Sequence, residues 1–217
     1  MSSPKIYRLL LAGLALVGRL ESNVRADETS AGSSTNLPPA MRTVIRSEEI
    51  LDATNAKPIQ RAFFSSGTNQ FAFAVPGDFK LDATTPGKII LTSPDYSGFI
   101  AVQLVGPVDG GGAGLTVDSF RNLAMEEFPE GTIVGESELR VANHGGPAYD
   151  LRWKSYQGAQ QLAFVGFVPS TAGVLKFSLL SNAAQFPVNQ MNFRCLLRSF
   201  QSNESGKLEI LPVSGAS

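Results

Sequence analysis

The chain has 217 residues, 43% of them hydrophobic and 17% charged, with a formal net charge of −1. That hydrophobic share suffices for a sizeable core, and 14 Phe against four Tyr and one Trp point to one filled largely by phenylalanine. No basic patch and no acidic run stand out, which argues against nucleic acid as a partner and against a cation-buffering role.

Residues 1–26 read as a secretory signal peptide. Lys5 and Arg8 supply its positive start, Leu9 to Gly18 its apolar run, and Val24-Arg25-Ala26 the small residues before a cleavage point at Asp27. The run is shorter than the roughly 20 apolar residues a membrane span needs, so no stable transmembrane anchor is expected after cleavage. The mature protein is therefore expected in the periplasm or the medium. A short uncleaved anchor is the alternative. One cysteine, Cys195, excludes an internal disulfide.

Residues 27–58 form a leader that starts rich in Ser, Thr, Gly and Pro, a composition that buries too little apolar surface to order itself. Within it, Met41 to Lys57 fits a weak helix or an irregular segment equally well. From Gln60 strands begin. Arg61 to Ser65 is short. Phe71, Phe73 and Val75 alternate with alanines, and Pro76-Gly77 follows as a turn. Lys88 to Thr92 and Phe99 to Val105 are two further strands, and the near-continuous apolar character of the latter predicts cover on both faces.

Asp109-Gly110-Gly111-Gly112-Ala113-Gly114 lacks the Gly-Lys-Ser/Thr ending of a phosphate loop and reads as a surface loop. Thr116 is a candidate N-cap for an amphipathic helix marked by Val117, Phe120, Ala124 and Phe128, which Pro129 and Gly131 stop. Four strands joined by short links follow, at Ile133–Val141, Ala148–Tyr156, Gln161–Val168 and Val174–Leu180, as in an antiparallel meander. A second helix spans Ala184 to Phe200, with Pro187 tolerable in its first turn. Cys195 is assigned to its buried side with Phe193, Leu196, Leu197 and Phe200. Residues 203–217 are a polar tail. The predicted fold is α+β, an antiparallel sheet of six or seven strands with helices on both faces, spanning residues 59–202.

Three short motifs carry a family resemblance over about Gln60 to Ser202. Phe71 to Phe79 resembles the "strand, Pro, Gly, x, aromatic" opening of the PsbP/Mog1-like fold, which includes secreted DcrB and DUF1795-type proteins. His144 to Trp153 resembles that group's "Gly, x, Pro-Ala, aromatic" strand entry, and Leu196 to Phe200 its closing helix. The resemblance implies an α/β/α scaffold used for binding or assembly and not for catalysis. No functional residue is carried over from it.

Candidate chemistry is sparse. His144, the single histidine, sits in a turn beside glycines, with no Gly-x-Ser-x-Gly elbow anywhere. One His and one Cys do not make a zinc site, and no calcium-loop spacing is present, so neither metal nor cofactor is expected. Glu126, Glu127 and Glu130 read as a solvated helix end. Tyr149, Leu151 and Trp153 share one strand face, which is core if a helix covers it and a binding strip if it lies open. The expectation is an exported, non-enzymatic domain that binds an envelope protein or a small ligand, with Tyr149, Trp153, His144 and Asp150 as binding candidates. One alternative is an envelope hydrolase using His144 with a nearby carboxylate such as Asp150. Another is a structural subunit of an envelope complex.

Overall fold

The computed structural model describes residues 46–51, 58–66, 69–85, 87–105, 116–142, 144–170 and 173–203. Residues 1–26 with their signal-like pattern, most of residues 27–58, the glycine-rich residues 109–114 and nearly all of residues 203–217 lie outside them. Among the described residues, eleven strands and two helices run in the order β1 (Arg46–Leu51), β2 (Pro58–Ser66), β3 (Asn69–Ala74), β4 (Lys80–Asp82), β5 (Lys88–Thr92), β6 (Gly98–Val105), α1 (Val117–Glu127), β7 (Thr132–Val141), β8 (His144–Lys154), β9 (Gln160–Ser170), β10 (Gly173–Asn182), α2 (Phe186–Ser199) and β11 (Gln201–Asn203).

The strands form two antiparallel sheets. The larger has seven, in the order β4-β5-β6-β10-β9-β8-β7, and the smaller four, in the order β1-β2-β3-β11. One helix lies on each face of the large sheet, and the small sheet shares the α2 side. The expected α+β fold is therefore present, with a second sheet added to it.

The pleat divides the large sheet into two cores. On β10, Leu175, Phe177 and Leu179 join α2 residues Phe193 and Leu196, the small-sheet residues Phe64, Phe71 and Phe73, and Phe200 just beyond α2. Phe200 is the hub, its ring within 6.0 Å of Phe71, 6.4 Å of Phe73 and 5.2 Å of Phe177. The opposite face packs Phe120 and Ala124 of α1 on Tyr149, Leu151, Ala163, Val165 and Phe167.

Local signals account for the helices. The Thr116 hydroxyl accepts the Ser119 N–H and starts α1, with Asp118 in the first turn. Pro187 sits at the start of α2, where its missing N–H costs no helical bond. In the Pro76-Gly77 turn, Gly77 takes φ +45°, and the Phe79 N–H donates to the Pro76 carbonyl at 3.1 Å.

Several expectations need correction. Residues 46–51 are strand, paired with β2. The chain after α2 pairs with β3 through Gln201–Asn203 before the tail begins. His144 opens β8 as the partner of Val141, so it belongs to the strand and not to a turn before it. Cys195 is exposed. At 100° per residue, Asn189, Phe193 and Leu196, which are buried, define one side of α2. Cys195 falls 200° from Phe193, on the outward side with exposed Val188 and Met191.

Candidate functional site

The α1-facing side of the large sheet carries a row of polar residues across three neighbouring strands. Strand alternation puts Lys176 and Ser178 of β10 on that side with Val174 and Leu180. Lys176 pairs with Gln103 on β6, and Gln103 pairs with Lys88 on β5. Neighbouring strands are about 4.8 Å apart, so the two lysine backbones stand about 10 Å apart with Gln103 between them.

Glu127 reaches this row from the last turn of α1. Its Oε2 lies 3.2 Å from Lys176 Nζ and accepts the Ser178 hydroxyl at 2.9 Å. The Glu127 and Lys176 side chains are only 12% and 13% exposed. Glu127 thus leaves the solvated group to which the sequence assigned it, while Glu126 and Glu130 stay exposed. The cause is helical phase. From Phe120 the steps to Ala124 and Glu127 are four and seven residues, so Glu127 prolongs the buried stripe. A carboxylate at a helix C-terminus opposes the dipole, and α1 has no basic residue in its last turn. Lys176 supplies the compensating charge from the sheet.

Lys88 is the second cation of this cluster. Burial pushes its ammonium pKa down, the Glu127 carboxylate pulls it up, and the Lys176 charge adds a smaller downward push. Two lysines therefore share one carboxylate in the cluster. β4 places Lys80 opposite Thr92 and Asp82 opposite Ile90, one charge of each sign. Around the row, Ile90, Thr92, Phe99 and Gln103 are all partly exposed.

The residues singled out in the sequence do not converge. Tyr149 is 1% exposed beneath α1, and its hydroxyl donates to the Val117 carbonyl at 3.1 Å. Burial raises its phenol pKa, with the Glu136 charge adding to the effect. Of the two readings of the aromatic strip, Tyr149 takes the covered one. Trp153 is partly buried, its ring 5.2 Å from Phe128. Asp150 points to the opposite face of β8, and burial raises its carboxyl pKa. His144 lies six residues from Asp150 on the same strand, about 20 Å away at strand rise. The His144–Asp150 pairing of the hydrolase alternative is therefore not assembled.

Among the described residues, no group of three or more His, Cys, Asp or Glu side chains gathers to hold a metal. Among the same residues, no helix is long and apolar enough to cross a membrane.

No protein-family model matches the chain. No curated protein matches it in sequence. Solved structures of similar architecture include the Saccharomyces cerevisiae Ran-binding protein Mog1p, at 12% identity and a TM-score of 0.41, covering 73% of this chain and 96% of that one. They also include the cyanobacterial PsbP of Synechocystis sp. PCC 6803, at 11% identity and a TM-score of 0.41, covering 78% of this chain and 97% of that one. A third is a Bacteroides thetaiotaomicron VPI-5482 protein, at 11% identity and a TM-score of 0.43, covering 63% of this chain. This chain spans 46% of that protein's length. These likenesses concern the arrangement of strands and helices alone.

Proposed function

We propose that this protein is an exported, non-enzymatic binding domain that engages a protein partner at the cell envelope. The contact surface is the α1-side face of β5, β6 and β10. The observation that carries this reading is the partly buried Lys88, set in register with Gln103 and Lys176 on a face where Ile90 and Phe99 remain partly exposed. A mixture of apolar side chains and few charges is the composition of a contact surface. Cations outnumber carboxylates there, which favours an acidic partner. The separation of His144 from Asp150 supports binding over hydrolysis. The signal-like residues 1–26 support export, and fractionation checks it: full-length protein confined to the cytoplasm refutes that part.

The test is a pull-down from the native envelope fraction, with mature wild type, Lys88→Glu, Ile90→Arg and Arg198→Glu as baits. Arg198 lies on the outward side of α2 and serves as the control. A stoichiometric partner held by wild type and Arg198→Glu, and lost by the other two, is the expected result. A partner kept by Lys88→Glu and Ile90→Arg overturns the assignment of this face.

A further inference from the structure

We infer that the Lys88–Gln103–Lys176 row receives a single carboxylate, supplied by an aspartate or glutamate side chain of the partner protein. This rests on the binding reading above and names the chemistry of its contact.

The side chains of Glu127 and Lys176 are nearly buried and 3.2 Å apart, so they close on each other. Ser178 takes up a further acceptor position on Glu127. Lys88, partly buried on the same face, remains as one surplus positive charge. A cation partly withdrawn from solvent favours a counter-charge at contact distance, where reduced screening strengthens the attraction.

The surplus is one charge, and that selects the ligand. A carboxylate carries one negative charge and balances it. A phosphate dianion would leave an excess negative charge beside Glu127, in a setting of reduced dielectric. The donors also suit a carboxylate. Lys88 offers ammonium protons and Gln103 an amide NH2, one strand spacing apart on the same face. The setting then selects the source. The next same-face position along β5 is the partly exposed Ile90, with partly exposed Phe99 one position further along β6, so an apolar residue beside the carboxylate finds contacts there. A segment of polypeptide meets both requirements.

The experiment titrates the mature protein with a capped hexapeptide of alternating glutamate and leucine, following the lysine ε-methylene signals by NMR in 13C-lysine-labelled protein. The expected result is a saturable shift of the Lys88 signal. Affinity should fall roughly fivefold or more in Lys88→Met and be retained in Lys88→Arg. The exposed, distant Lys154→Met is the control and should bind as wild type. A peptide with glutamine in place of glutamate should leave Lys88 unmoved. Equal binding of the two peptides, or wild-type affinity in Lys88→Met, overturns the inference. So does inorganic phosphate shifting Lys88 at a lower concentration than the peptide, which makes the row a free-anion site. If the peptide fails while Ile90→Arg still abolishes partner capture, the carboxylate inference falls and the binding face stands. If the peptide binds and capture survives every variant, the reverse holds.

Discussion

Removing one member of the Glu127–Lys176 pair tests whether the cluster is part of the interior or an ordinary surface feature. Glu127→Gln keeps a partner for Ser178 but leaves Lys176 and Lys88 as two like charges without a carboxylate. At about 10 Å and an effective dielectric near 20, their repulsion is of order 1–2 kcal/mol. That repulsion is present in the wild type as well, so the added cost is loss of the pair: breaking a buried ion pair on one side costs about 3–5 kcal/mol, and exposures of 12% and 13% place this one toward the lower figure. The expected destabilisation is about 3–4 kcal/mol. Lys176→Met costs somewhat less, about 2–3 kcal/mol, because Glu127 keeps the Ser178 hydroxyl and the attraction of Lys88. The double change Glu127→Leu with Lys176→Met replaces the pair by apolar groups and should return to within about 1 kcal/mol of wild type. Urea unfolding reads all of this. Trp153, the single tryptophan, packs on Phe128 at the end of α1 and reports on that helix directly. At a slope near 2 kcal/mol/M, Glu127→Gln lowers the midpoint by about 1.5–2 M. Single variants each costing under about 0.5 kcal/mol refute the reasoning, because that is the behaviour of a solvated pair.

Three further outcomes follow from the packing. Gly146→Ala should abolish stable folding, since its Cβ would overlap the Phe167 carbonyl oxygen and force β8 from β9; circular dichroism melting checks it. Phe200→Ala should cost about 3–5 kcal/mol in urea unfolding, because the ring is 5% exposed and joins α2 to both sheets. Asp150→Asn should raise the melting temperature at pH 7. Burial raises the Asp150 carboxyl pKa, so the folded protein holds that proton to higher pH than the unfolded chain. Its penalty therefore grows as pH rises from the unfolded value of about 3.9 through the folded one, and the gain from asparagine should vanish below that lower value.

The long elements were legible because their burial is periodic. β3, β5, β6, β9 and β10 are apolar enough to mark themselves, and α1 announces its start with Thr116. The strands that escaped are those whose pairing depends on something distant. β4 and β11 have three residues each, too few for any period, and exist because β5 and β3 offer them an edge. β1, with the sequence RSEEIL, carries no strand pattern and is held by its register with β2. Cys195 lies close in sequence to Phe193, Leu196 and Leu197, yet two residues at 100° each turn it 200° from Phe193 and outward. The lysine row was hidden for a different reason. Lys88, Gln103 and Lys176 are brought together by strand pairing across most of the domain, which no local spacing encodes. The one local hint was Lys176 itself, a charge in phase with Ser178 inside an otherwise apolar strand.

The position of that row follows from how much sheet one helix can cover. Seven strands at about 4.8 Å spacing make a surface about 29 Å wide, whereas a helix with its side chains is about 10–12 Å across. On the α2 side the small sheet fills the remaining width, and both are joined by phenylalanine rings around Phe200. On the other side, among the described residues, α1 stands alone over β8 and β9, and its last side chain reaches β10. Beyond Glu127 the sheet face passes from Phe167 and Val165 to Lys176, Gln103 and Lys88, so polarity begins where helical cover stops. A face meant only for water would carry no Ile90 or Phe99 beside those charges, and a face meant only for the interior would carry no second lysine. The mixture, set at the border of the α1 footprint, is what a surface alternately wet and occupied requires. It is also why charge at Lys88 and bulk at Ile90 are the two changes that should separate partner binding from folding.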